Sequence, residues 1–288
     1  MMLSLGLLVS GSLGHNVLSC LEANNHIVFV MTDENSDKII AFCDKKKIDC
    51  YVGNPREGRC SNFIHNLKID ILISISYLFL IEKDLITLPK GIAFNIHGSL
   101  LPKFRGRTPH VWAIINNEKE TGITAHKMDI GCDTGDIIEQ VVIPIENNDT
   151  GADLLTKFKN NYILLVKSVL EKLANNSIVL KKQDHTKASF FGKRTPDDGH
   201  IFWDWQKERI HNWVRAQAHP YPGAFTYLGN TKIIIDEISY TDRGFSYDMP
   251  NGLVLSIDPV LVKTPNGVVK LEKFRETKAM LKVNQILN

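Results

Sequence analysis

The stretch Ala93-Phe94-Asn95-Ile96-His97-Gly98-Ser99-Leu100-Leu101-Pro102 begins as a short apolar strand and ends in a polar cluster. Asn95 and His97 stand two residues apart, so in extended backbone their side chains leave the same side of the strand. Upstream, Leu3 to Val9 is largely apolar, a Gly/Ser turn follows, helical spacing covers Val17 to Glu22, and the β-branched run Ile27 to Met31 reads as a second strand. Helical periodicity resumes over Lys38 to Lys46, and a loop then carries Gly53, Pro55 and Gly58. Ile71 to Ser76 is apolar enough for a strand buried on both faces. This alternation predicts an α/β fold with a mainly parallel sheet and helices on both sides. In such sheets the carboxyl ends of the strands hold ligands, which is where Asn95 and His97 fall.

Downstream, Thr108 to Asn116 has helical spacing, Gly122 to Met128 reads as a strand, Asp129 to Asp136 as a turn-rich loop and Ile137 to Ile143 as another strand. Thr150 to Asn175 is a long amphipathic helix whose orphan amides Asp149 or Thr150 can cap. Beyond Gly192 the pattern changes. The short β-rich runs Phe225 to Leu228, Lys232 to Ile238, Gly252 to Ile257, Leu261 to Thr264 and Val268 to Phe274 are separated by turn residues, with one helix over Lys207 to Ala216. Many short strands predict a small barrel or sandwich. The boundary is expected between Lys193 and Trp205, giving a catalytic α/β domain over 1–195 and a smaller β-rich domain over 196–288.

The composition narrows the function. A net charge of +2 over 288 residues offers no clustered basic field, so no nucleic-acid partner is expected. Five cysteines, at 20, 43, 50, 60 and 132, lack metal-ligand spacing and form an odd set, as expected of reduced thiols in a cytoplasmic protein without disulfide or structural zinc. The apolar run from Met1 to Val9 lacks a basic flank and reads as a buried first strand, and no run approaches the ~18 apolar residues of a spanning helix, so no membrane partner is expected.

Acyl transfer to an amine needs a donor for the developing oxyanion and a base for the ammonium proton, and an amide beside an imidazole supplies both. Residue type alone leaves a second reading open, in which Asn95 closes a turn and His97 is a structural histidine. Asp133 favours the chemical one. It sits in Met128-Asp-Ile-Gly-Cys-Asp-Thr-Gly-Asp-Ile, a loop whose two glycines let the chain pass beside a neighbouring strand end, and a carboxylate there can fix an imidazole tautomer.

From Asn95 to Ile138 the strings Asn-x-His, Ser-Leu-Leu-Pro-Lys-Phe-Arg-Gly, Thr-Gly-Ile-Thr-x-His-x-Met and Asp-x-Gly-Asp-Ile resemble the formyltransferases that use N10-formyltetrahydrofolate. The resemblance implies a Rossmann-like fold, a catalytic triad of Asn95, His97 and Asp133, a folate formyl donor met by Asp129, Gly131 and Asp136, and no metal. A second likeness spans Gly192-Lys-Arg-Thr-Pro-Asp-Asp-Gly, Ile210-His-Asn-Trp-Val-Arg-Ala and His219-Pro-Tyr-Pro-Gly-Ala-Phe. These strings resemble the sugar-nucleotide branch, including the 4-amino-arabinose formyltransferases of lipid A modification. They imply a nucleotide-linked amino sugar as acceptor, dTDP-4-amino-4,6-dideoxyglucose foremost, with a dTDP-3-amino sugar or a UDP-linked 4-amino sugar as alternatives, and a homodimeric enzyme serving surface polysaccharide.

Arg105 and Arg107 are expected to meet the diphosphate with Lys103, since guanidinium forks match phosphate oxygens; a solvated loop is the competing reading. Arg194 and Tyr221 are expected at the acceptor, Tyr221 by stacking on a base, whereas Phe225 and Tyr227 read as core. Gly11-Ser-Leu-Gly14 reads as a tight turn and Cys132 as packing. Methionyl-tRNA formylation is disfavoured because residues 196 to 288 carry eleven basic and eleven acidic side chains, where a tRNA platform would be basic. Glycinamide ribonucleotide formylation leaves the second domain without a task. Hydrolysis of the formyl donor and an inactive nucleotide-binding module are the remaining readings.

Overall fold

The structure, a computed structural model, describes residues 3–275 and 281–288; Met1 and Met2, where the predicted N-terminal apolar run starts, lie outside the described residues. In chain order the elements are β1 (Ser4–Val9), α1 (Gly11–Glu22), β2 (His26–Thr32), α2 (Asp37–Lys46), β3 (Asp49–Val52), α3 (Ser61–Ile64), β4 (Ile71–Ile75), α4 (Lys83–Ile86), β5 (Ile92–His97), β6 (Arg105–Gly106), α5 (Pro109–Ile115), β7 (Glu120–Lys127), β8 (Ile137–Pro144), α6 (Gly151–Ala174), β9 (Phe190–Phe191) and α7 (Lys207–Gln217). The C-terminal strands are β10 (Ala224–Leu228), β11 (Thr231–Thr241), β12 (Val254–Ile257), β13 (Val260–Thr264) and β14 (Gly267–Phe274).

The large sheet has the order β3-β2-β1-β4-β5-β7-β8. Strands β1 to β5 pair in parallel, and β7 pairs with β5 antiparallel. The expected mainly parallel α/β sheet is therefore present. Leu5, Leu7 and Val9 of β1 are fully buried against the α1 stripe Leu13, Val17, Leu18 and Leu21, whose spacing puts one helix face on the sheet. Burial of this kind contributes about 1.5–3 kcal/mol per large apolar side chain relative to exposure. The strand order reverses between β1 and β4, so the carboxyl ends of these two strands open a crevice there, beside the end of β5. The Gly11 turn is tied to the start of α2, because Gly11 donates its N–H to Ser36 Oγ at 2.9 Å, which is in turn bonded to Asp33.

Strand β3 is absent from the reading of the sequence. It is four residues long, half polar, and lies at the edge of the sheet, where only one neighbour demands apolar side chains.

Packing divides the chain into two units, one of 1–106, 122–143 and 157–190 and one of 107–121, 144–156 and 191–288. A single cut after residue 195 describes them only in part, since α5 and the start of α6 go with the C-terminal segment. The reason is a small core of Val111, Ala113, Ile114, Ile145, Leu154 and Ala216, which joins α5 to α7. A Cβ at Gly151 would come within 2.5 Å of the Ala216 carbonyl, so only glycine admits this approach of α6 to α7. The rest of the second unit is an antiparallel sheet of order β10-β11-β14-β13-β12, packed on Ile201, Trp203, Ile210 and Val214.

Candidate active site

The antiparallel pairing of β5 and β7 sets Asn95 opposite His126 and His97 opposite Thr124. Directly opposed residues share a face, so four polar side chains gather at one place in the sheet. Asn95 is half-buried, and its Nδ2 lies 3.1 Å from His126 Nε2. His126 Nδ1 is 3.0 Å from the Lys127 carbonyl, which can only accept, so Nδ1 carries a hydrogen and Nε2 of the neutral ring carries the lone pair. Asn95 therefore donates to His126, and one amide N–H is spent on fixing the direction of the other. His126 Nε2 also lies 3.6 Å from Asp133 Oδ1, a longer approach that loses to the Asn95 bond at 3.1 Å.

His97 is buried and held from both sides. Its Nε2 donates to the Phe104 carbonyl at 2.8 Å, and its Nδ1 lies 3.5 Å from Asp133 Oδ1. The Phe104 bond fixes the tautomer, which leaves Nδ1 as the basic nitrogen of the neutral ring. Burial lowers the His97 pKa below its usual value, while the Asp133 carboxylate and the Phe104 carbonyl oppose that fall. The ring is thus neutral near pH 7, yet a proton arriving on Nδ1 meets a carboxylate.

Asp133 occupies a left-handed backbone conformation, φ 57°, which aspartate tolerates better than most residues. Its Oδ2 accepts the Gly106 N–H at 2.9 Å. Burial pushes its pKa up, but His97, the contact with His126 and the Gly106 N–H outweigh it and hold the carboxyl well below the usual range. It is a carboxylate at every pH of interest.

The loop carrying Asp133 is braced internally. Asp129 Oδ1 accepts from Thr134 Oγ1 at 2.6 Å and from the N–H of the exposed Gly131 at 3.1 Å, and Lys127 N donates to the Asp136 carbonyl at 2.9 Å. Gln183 Nε2 donates to the carbonyls of Asp133 at 2.9 Å and Gly135 at 2.7 Å. Arg105, 2% exposed, points its guanidinium at Gln183 Oε1 and at His185 Nδ1, 3.1 Å away, and rests on Phe190. Arg105, expected at the diphosphate, here holds Gln183, and through it the Asp133 loop.

A model of the formyl transferase family matches residues 9–169, and a model of the formyl transferase C-terminal domain matches 193–288. The chain belongs to the formyl transferase family. It is 35% identical over 262 residues to the bifunctional polymyxin resistance protein ArnA of Wigglesworthia glossinidia brevipalpis, covering 87% of this chain and 39% of that protein. It thus spans about two fifths of the length of this relative. Among solved structures, an N-formyltransferase of Helicobacter canadensis in complex with folinic acid and dTDP-3-aminofucose superposes with a TM-score of 0.74 at 22% identity, covering 94% of this chain and 99% of that one. A 4-N formyltransferase of Francisella tularensis gives 0.68 at 20% identity over 81% and 96%. At these identities the likeness establishes the shared fold.

Within this formyl transferase chain, Asn95, His97 and Asp133 come together, and His126 completes the group. The sequence carried a signal for His126. Thr124-x-His126 repeats the period-two spacing of Asn95-x-His97 on the next long strand, but only the register shows that the two pairs face each other. Thr124 serves the backbone instead: its Oγ1 donates to the Ser99 carbonyl at 2.6 Å and accepts from Leu101 N at 3.2 Å, which pins the turn after His97.

The other expected residues lie in the second unit. Arg107 is exposed, and its N–H donates to the Phe191 carbonyl at 2.9 Å. Tyr221 does not offer a free ring; it packs on the α5–α7 core, and its hydroxyl lies 2.6 Å from His110 Nε2. Burial brings the His110 pKa to about 4, so the imidazole there is neutral.

The Asp133 loop offers a direct test. A Cβ at Gly135 would stand 1.8 Å from the Lys127 carbonyl, a contact that backbone cannot relieve without moving. Gly135→Ala should lower unfolding free energy by about 1–3 kcal/mol, the range for overpacked sites. Turnover should fall by more than this loss of folded protein explains, since the displaced loop carries Asp133. Urea denaturation and an assay on fully folded enzyme separate the two, and wild-type values in both would refute the role given to this loop.

Proposed function

We propose that this chain is a cytoplasmic N-formyltransferase that moves the formyl group of N10-formyltetrahydrofolate to the amine of a nucleotide-linked amino-dideoxy sugar, foremost dTDP-4-amino-4,6-dideoxyglucose. The observation that carries the reading is the group of Asn95, His97, His126 and Asp133 at the carboxyl end of β5. When bound, the folate supplies a formyl carbon open to attack by an amine. The chain supplies the rest. Asn95, its amide aimed by His126, turns its second N–H toward the oxygen on which negative charge develops. His97 Nδ1 takes the proton released by the amine, the Asp133 carboxylate stabilises the imidazolium that results, and the imidazolium would return that proton to N10 of the folate as the bond from N10 to the formyl carbon breaks.

Several features of the first unit fit a flat, partly apolar donor. Leu80 is 56% exposed and Ile130 88% exposed, on loops that follow β4 and β7. The two loops are tied together, because Met128 packs in one cluster with Tyr77 and Ile81. Tyr77 Oη is buried without a hydrogen-bond partner, a group that a ligand can satisfy. Asp129, Gly131 and Asp136 belong to the second loop, where Asp129 shapes the main chain that the donor would meet.

The acceptor is argued from the second unit, whose strings at 192–199 and 219–225 resemble the sugar-nucleotide branch, and from the similar Helicobacter structure that carries a dTDP-amino sugar. The C4 amine rests on the resemblance to the 4-amino-arabinose enzymes. A C3 amine has its own support, since the Helicobacter enzyme was crystallised with dTDP-3-aminofucose. The test is a panel of dTDP- and UDP-linked 3-amino and 4-amino sugars, free amino sugars, charged initiator tRNA and water, all with the same formyl donor. Formylation of a dTDP-4-amino sugar ahead of all others is expected. Preference for a 3-amino sugar would overturn the regiochemistry, and preference for tRNA or water would overturn the acceptor class.

A further inference from the structure

The segment Phe104-Arg105-Gly106 grips both His97 and Asp133. The Phe104 carbonyl accepts from His97 Nε2 at 2.8 Å, and the Gly106 N–H donates to Asp133 Oδ2 at 2.9 Å. This segment is itself held by one residue far along the chain, Ser189. Phe104 N donates to Ser189 Oγ at 2.9 Å, and Arg105 N donates to the Ser189 carbonyl at 2.8 Å. Ser189 is half-buried and stands near the end of the first unit; from Phe191 on the chain goes with the second, where Arg194, expected at the acceptor, lies between the indoles of Trp112 and Trp213.

Phe104 would not hold its conformation unaided. Its φ of 57° is left-handed, a region that a bulky side chain rarely enters because Cβ crowds the following carbonyl. Such backbone persists only where the surroundings over-determine it. Here both peptide planes beside Phe104 are pinned at both ends. The first has its oxygen, that of Lys103, on Ser99 Oγ at 2.6 Å and its nitrogen on Ser189 Oγ. The second has its oxygen on His97 and its nitrogen on the Ser189 carbonyl.

The aim of the second plane matters for the chemistry of His97. A carboxylate is a stronger acceptor than a peptide carbonyl, so in free competition Asp133 would draw the ring hydrogen to Nδ1 and leave the lone pair on Nε2, facing into the turn. The carbonyl wins because it is held at 2.8 Å, against 3.5 Å for the carboxylate.

We propose that Ser189 is a positioning residue for the transfer: its hydroxyl sets the Phe104 peptide, whose carbonyl keeps the His97 hydrogen on Nε2 and the lone pair on Nδ1. The inference rests on the reading of His97 as the base, and it adds a residue outside the group of Asn95, His97, His126 and Asp133 that acts through main chain alone. Deleting the hydroxyl strips the N–H of the buried Phe104 of its acceptor. The Arg105 N–H keeps the Ser189 carbonyl, so the lesion stays local.

The experiment compares Ser189→Thr with Ser189→Val in the full chain, two variants of one shape that differ by a hydroxyl for a methyl. Turnover is measured with the acceptor that the panel selects. The tautomer of His97 is read by nitrogen NMR of protein carrying labelled histidine, its signals assigned by their loss in His97→Asn, and this arm needs no substrate. Ser189→Thr should keep the wild-type kcat and a His97 hydrogen on Nε2. Ser189→Val should lower kcat about 10-fold, the equivalent of one modest hydrogen bond, leave KM for both substrates nearly unchanged, and move the hydrogen toward Nδ1. A merely structural hydroxyl would lower the melting temperature and leave the ring of the folded protein as it is. Should Ser189→Val fail to fold, Ser189→Ala deletes the same hydroxyl with less bulk and carries the same expectations. An unchanged tautomer in the variant without the hydroxyl, or a Ser189→Thr as impaired as that variant, overturns the proposal. A tautomer that moves with no loss of kcat keeps the hold of Ser189 on the ring and sinks the reading of His97 Nδ1 as the base.

Discussion

His97→Asn should reduce turnover at least ~100-fold, the lower end of general-base contributions, while leaving acceptor binding nearly intact. Asparagine keeps a hydrogen-bonding side chain in the buried site but cannot take up a proton, so the variant removes chemistry with little loss of packing. The pH profile makes the assignment specific. His97 works as the neutral base, and burial sets its pKa below the ordinary histidine value of 6.5. The wild-type rate is therefore expected to stay level through neutral pH and to fall as pH drops below 6.5 and His97 takes a proton. Stability follows the same sign: a histidine whose folded pKa is depressed contributes most when neutral, and that contribution is lost as pH falls through 6.5 and below. The acid limb should vanish from the small residual rate of His97→Asn. Turnover near the wild-type level, or an unchanged acid limb, would remove His97 from the proton path.

The sequence makes the alternation of strands and helices legible because each buried strand must be apolar and each covering helix must carry a stripe, and both periodicities are local. Asn95 and His97 are legible for the same reason. Spacing of two on a strand fixes a common face without knowledge of any neighbour. What escapes is whatever depends on partners distant in sequence. Arg105 sits among Lys103, Arg107 and other polar residues and reads as a diphosphate ligand or a solvated charge, yet it is among the most deeply buried large side chains because Gln183 and His185, about eighty positions later, supply its acceptors. Strand β3 escapes because an edge strand needs little apolar content. The membership of α5 escapes because its apolar residues fit either unit by pattern, and the choice is made by Ala216 and Leu154. His126 lies between these cases, since its spacing is local and its meaning is a matter of register.

Asn95→Ala should cost about 3 kcal/mol of transition-state stabilisation, a loss of 10²–10³ in turnover, by comparison with other single oxyanion donors. The size of the effect depends on aim as much as on presence. A primary amide free to rotate would offer its N–H and its oxygen to the formyl oxygen in turn, and the oxygen would repel the charge that the N–H stabilises. His126 removes that freedom. Its Nδ1 hydrogen is committed to the Lys127 carbonyl, so its Nε2 can only accept from Asn95, and the amide cannot reverse without facing lone pair to lone pair. His126→Phe keeps a ring of similar size on the strand and deletes the acceptor, so it should lower kcat by about 10-fold, the equivalent of one modest hydrogen bond, with KM nearly unchanged. A merely structural role would instead lower the amount of folded enzyme at constant kcat. The decisive measurement is the double-mutant cycle. If His126 acts through Asn95 alone, His126→Phe should have almost no further effect once Asn95 is alanine, because residues that work as a unit are non-additive. Full additivity of the two losses would break the link and leave His126 acting on Asp133 instead, the other group within its reach at 3.6 Å.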